Sequence, residues 1–95
     1  MTELTGKAKE IIDELISSLN KIEADVNLCR PHVLSKVDYY RSDYHIAIND
    51  LNEMFRKGEI DFETYMLANK KLYELDNKLS DLILKFINNC TCKVK

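Results

Sequence analysis

Tryptophan is absent from this chain, proline occurs once and glycine twice. So few turn formers exclude a β-sandwich or barrel, which needs a turn every ~8–12 positions. Elements must instead be long. No apolar run approaches the roughly 18 residues of a membrane span. Blocks of like charge are missing too, and the formal net charge is only -2, so neither a basic nucleic-acid arm nor an acidic tail is written into the chain. The first ten residues lack the apolar segment behind a basic start that makes a signal peptide. The cysteine count is three, an odd number that fits free thiols in a reducing, cytoplasmic setting better than a secreted disulfide framework. Ninety-five residues have room for one core, so 1–95 is read as a single domain.

What is present is hydrophobic periodicity. Tyr65, Ala68, Leu72, Leu75, Leu79, Leu82 and Phe86 recur at alternating steps of three and four, the seam of a helix that faces a partner helix. Ala8, Ile12, Leu15, Leu19, Ile22, Val26 and Cys29 form a second seam, with Ile11 and Ile16 beside it, while Lys7, Lys9, Asp13, Lys21 and Asp25 are read onto the other, exposed face in i,i+4 relation. A third comprises Val33, Val37, Tyr40, Tyr44, Ala47, Leu51 and Met54. These predict helices over about 5–28, 31–57 and 62–89, with a frayed tail over 90–95.

The punctuation agrees. Thr2 and Thr5 are candidate N-caps for the first helix. Pro31 tolerates the first turn of a helix and not its interior, so a tight turn there is favoured over a kinked continuous helix. Ser35 with Asp38 offers a later start for helix two. Arg56-Lys57-Gly58 is a stop signal, and Asp61 caps helix three, with Ile60 and Tyr65 at the positions of a hydrophobic staple. The Gly-x-Ile-Asp-x-Glu connection joins antiparallel helices in many unrelated proteins and marks no family. The fold class expected is all-α: three long antiparallel helices in an up-down-up, coiled-coil-like bundle, with dimerisation as a way to complete a thin core.

Catalytic patterns are lacking. Asp38, Asp43, His45, Asp50 and Glu53 share helix two, but the paired Glu-x-x-His motifs of a di-metal bundle are missing. No serine or cysteine stands in a nucleophile elbow. The expectation is a non-enzymatic chain with no small-molecule substrate and no membrane partner.

Three readings follow. The leading one is a protein–protein interaction module, an adaptor or small subunit, that presents an apolar helix face to a protein partner or to a copy of itself. Residues off the core seams mark that face: Tyr39, Ile46, Met66, Tyr73, Ile83 and Ile87. The second is a zinc- or disulfide-stabilised regulatory protein. An up-down-up bundle gathers Cys29, His32, Cys90 and Cys92 at one pole, where zinc would find four ligands or Cys29 could pair with Cys90 or Cys92; unmodified thiols are the default. The third is a nucleic-acid accessory protein using Lys70, Lys71, Lys78 and Lys85. It is disfavoured because acidic residues interleave with the lysines, Glu74 preceding Lys78 and Asp81 preceding Lys85 by four, as in a solvated ion-paired face.

Overall fold

The computed structural model describes residues 4–90. Among these the chain forms three helices, α1 (Gly6–Asn27), α2 (Val33–Arg56) and α3 (Phe62–Cys90), every pair of which is in contact. They make an elongated bundle of 50 × 24 × 16 Å. The expected all-α, three-helix up-down-up architecture is the one observed.

Each seam is the core stripe of its helix. On α1 the residues from Ala8 to Val26 are buried, on α2 those from Val33 to Met54 apart from half-buried Tyr44, and on α3 those from Ala68 to Phe86. Residues spaced by three and four stay on one side of a helix, so three such stripes close into one continuous core. Helices α2 and α3 are held in antiparallel register by pairs along their length. Tyr44 Oη donates to the Leu72 carbonyl at 2.9 Å, Tyr65 Oη donates to Asn52 Oδ1, and Phe55 stacks on Tyr65 with ring centroids 4.4 Å apart.

The two connections use the same device. Lys57 closes α2, Gly58 adopts φ 78°, its N–H donates to Phe55 O, and Glu59 N–H donates to Met54 O at 2.8 Å. This is a Schellman end with glycine in the left-handed position, as the sequence suggests. At the end of α1, Leu28 is the C-cap. Cys29 N–H donates to Val26 O, and Arg30 N–H donates to Asp25 O, both at 3.1 Å. That is the same motif, but the left-handed residue is Cys29, at φ 53°, where a Cβ costs on the order of 1 kcal/mol. Pro31 therefore sits in a turn, not in a kinked helix, and α2 begins two residues beyond it. Asp61 caps α3 as expected: Thr64 N–H donates to Asp61 Oδ1 at 2.8 Å, and the hydrogen bonds from Thr64 hold the carboxyl below its usual range. Thr5 is the N-cap of α1 by position, without a side-chain capping bond. Thr2 lies outside the described residues, as does the expected tail beyond Cys90; Cys90 itself ends α3, buried.

One core group is poorly matched. The ring of Tyr40 is buried, and its hydroxyl has no hydrogen-bond partner among the described residues. Burial, with Tyr44 and Asp76 nearby, pushes this hydroxyl up to about 12. An unpaired buried hydroxyl loses its water and gains nothing in return. Tyr40→Phe is therefore expected to stabilise the bundle by about 1 kcal/mol, a rise of roughly 4–8 °C in thermal midpoint. A lowered midpoint would show that the hydroxyl is satisfied.

Candidate interaction surface and the closed pole

The end of α1, the start of α2 and the end of α3 meet at one pole, as the topology requires. Cys29 and Cys90 are joined there by a disulfide, with Cα atoms 5.4 Å apart and 61 positions between them in sequence. The expectation of unmodified thiols is corrected on this point. The left-handed turn at Cys29 and the unbroken run of α3 to Cys90 bring the two sulfurs into bonding distance, and neither feature is visible in residue spacing. The Cys90 sulfur also lies 3.6 Å from the Val26 carbonyl, a packing contact, since a bonded sulfur carries no proton. The zinc arrangement changes with it. Cys29 and Cys90 have no thiolate to offer while bonded, and Cys92 lies outside the described residues. His32 Nε2 instead faces Asp25 Oδ2 at 3.8 Å. Among the described residues no group of three His, Cys, Asp or Glu side chains could hold a metal ion.

Asp25 is the second correction at this pole. Its spacing places it on the polar side of α1, yet it is buried, in the last turn of the helix, where the dipole opposes a negative charge. Two cations and an imidazole compensate. Lys36 Nζ donates to Asp25 Oδ2, Arg30 Nε lies 3.4 Å from Oδ1, and His32 approaches as described. The hydrogen bond from Lys36 is the main reason that the carboxyl is held below its usual range, against the opposing effect of burial.

The six residues expected to form one apolar face fall on different surfaces. Tyr39 and Ile46 are exposed on α2 beside α1. Ile46 lines a groove of about 400 Å³ between the two helices, together with Ile11, Ser18, Lys21 and Asp50. Met66, Tyr73 and Ile87 are exposed on α3, and Ile83 is partly buried against the core. Phe62 and Leu84, outside the expected set, are exposed as well. With 3.6 residues per turn, Phe62, Met66, Tyr73, Leu84 and Ile87 lie within a narrow sector of α3, well away from its core seam. They are between 50% and 69% exposed. Helix α3 thus carries two apolar stripes, one inward and one outward. The outward stripe has gaps of seven and eleven residues, so a search for uninterrupted heptads passes over it; tabulating angles around the helix would have found it.

The lysine row also sits differently from expectation. Lys78 pairs with Glu23 of α1 at 3.5 Å, and Lys85 donates to Asn27 Oδ1 at 2.8 Å. Both bridge to α1 instead of pairing along α3 with Glu74 and Asp81. Lys9 and Asp13 do form the expected i,i+4 pair, at 2.7 Å. No helix among the described residues is long and apolar enough to cross a membrane. No family model, curated protein or solved structure matches the chain.

Two outcomes test the pole. Closing a loop this long is worth about 4 kcal/mol in chain entropy, so Cys90→Ser, or reductant on the intact chain, is expected to lower stability by roughly 2–4 kcal/mol, while chelator leaves it unchanged. Thermal melts with each additive decide it, and sensitivity to chelator instead of reductant would restore the metal reading. Because the folded Asp25 carboxyl lies below its ordinary value of 3.8, its contribution is present above that pH and is lost as pH falls through the folded value. Asp25→Asn is then less stable than the intact chain at neutral pH, with the gap closing below about pH 4. Urea unfolding across that range measures the gap, and a gap independent of pH would remove Asp25 from the account.

Proposed function

We propose that this chain is a non-enzymatic protein–protein interaction module whose working surface is the outward stripe of α3. The observation that carries this reading is the stripe itself: five large apolar side chains, half exposed or more, aligned along the longest helix of the bundle. A single exposed apolar residue is ordinary, but an aligned set along a rigid element is the mark of an interface. The bundle is the support, and the disulfide fixes the far end of α3 to α1 so that the stripe is presented on a straight, anchored rod. In the same reading the chain acts as an adaptor or small subunit and draws its affinity from aromatic and methionine anchors.

The disulfide bears on where the module works. Free thiols would suit the cytoplasm. A bonded Cys29–Cys90 pair favours a compartment that keeps disulfides oxidised. The nucleic-acid reading loses support, because Lys78 and Lys85 are engaged with α1 and the remaining lysines make no patch of one sign.

The test compares the intact chain with a Met66→Glu/Tyr73→Glu form, both shown to be helical by circular dichroism. Each is immobilised and exposed to an extract of the source cells. The expected result is retention of one or more proteins, the chain itself included, by the intact form and not by the charged form. Identical retention by both would sink the reading.

A further inference from the structure

The outward stripe of α3 has an internal symmetry. Its apolar residues gather at the two ends, Phe62 and Met66 near the start and Leu84 and Ile87 near the finish, with Tyr73 close to the centre. The sector between carries small or amide side chains, Asn69, Asn77 and Ser80. A single foreign helix has no reason to match such a pattern, whereas a two-fold interface requires that each end of a surface meet its other end.

We propose that the occupant of this stripe is the same stripe of a second copy, laid antiparallel about a two-fold axis near the middle of α3. This rests on the interaction-module reading and names its partner. In that arrangement Phe62 and Met66 of one copy cover Leu84 and Ile87 of the other, twice over. The rim supplies an independent argument from charge. Lys70 and Asp81 lie on one flank of the stripe, about three turns apart, and neither belongs to an ion pair within the chain among the described residues. The register that sets Met66 opposite Leu84 also brings Lys70 alongside Asp81 of the second copy, and Asp81 alongside its Lys70. Parallel two-fold pairing would instead place this flank of each copy on opposite sides of the interface, so Lys70 and Asp81 would not meet. The five stripe residues, each with roughly 150–250 Å² of surface and half exposed or more, would together remove on the order of 1,000 Å² from water across two copies, enough to reach the range of specific interfaces.

Sedimentation equilibrium of the full chain is the deciding experiment, with charge reversal as the probe. The intact chain is expected to be dimeric at about 100 μM. Lys70→Glu and Asp81→Lys each weaken the dimer roughly tenfold, because each sets like charges together twice, and the two combined restore most of the loss. Leu84→Glu, at an exposed position, yields a monomer with unchanged helical content. Three results overturn the proposal: a monomeric intact chain, a dimer indifferent to Leu84→Glu, or charge reversals without mutual rescue. A monomer that still retains another protein through Met66 and Tyr73 would overturn the second-copy partner alone, whereas loss of both behaviours would remove the module reading with it.

Discussion

The structure depends most on the turn that follows α1. A Schellman end needs a residue in the left-handed region, and here that residue is Cys29, not glycine. The backbone penalty of a Cβ in that region is accepted at the one position where the side chain forms a covalent tie. The same turn directs Arg30, His32 and, through the start of α2, Lys36 onto Asp25. A carboxylate in the last turn of a helix would ordinarily be unfavourable, because the free carbonyls there already carry partial negative charge. Lys36 and Arg30, with the His32 ring beside them, reverse that balance, so the ionic cluster and the turn geometry support one another.

The disulfide and the apolar seams act on different states of the chain. The seams lower the energy of the folded bundle by removing apolar surface from water. The disulfide acts mainly by narrowing the unfolded ensemble, because it closes a loop spanning the greater part of the chain. A bundle only 16 Å across in its thinnest direction has a limited core, so a constraint on the unfolded chain matters more here than in a larger domain. It also removes fraying where it would matter most, at the last turn of α3 beside Ile87.

The heptad seams were legible because the helical period alone decides which residues share a side, and Val37, Leu51, Leu72 and Leu79 needed no knowledge of the partner helix. Gly58 and Asp61 were legible because capping is local chemistry. The Cys29–Cys90 bond was legible only as one alternative to free thiols: topology puts both cysteines at one pole, but the choice of bond and partner depends on how far α3 runs before it ends and on a left-handed residue whose identity is not glycine. Asp25 was misplaced for a related reason. It borders the seam, and which border residues become buried is set by the rotation of a neighbouring element, here the turn that carries Arg30 and His32. Lys78 and Lys85 likewise found partners across the α1–α3 contact that intrahelical spacing cannot anticipate. The rotation of α2 relative to α3 separates Tyr39 and Ile46 from Met66 and Tyr73, so residues that share an off-seam character do not share a surface.

A helix with two apolar stripes is an unusual object in a solitary three-helix bundle. Two helices cover only part of the circumference of the third, and in α3 the inward stripe already accounts for that part. The polar residues of the remaining circumference divide in two. Lys78 and Lys85 reach toward α1 and strengthen the bundle, whereas Lys70 and Asp81 flank the outward stripe without an ion-pair partner among the described residues. Selection for the stability of the monomer alone would favour charged side chains at Phe62, Met66, Tyr73 and Leu84, where burial contributes little and exposed apolar surface invites aggregation. Apolar side chains held there, on the longest helix and anchored at its far end by a covalent bond, point to a surface whose contribution is realised outside the monomer.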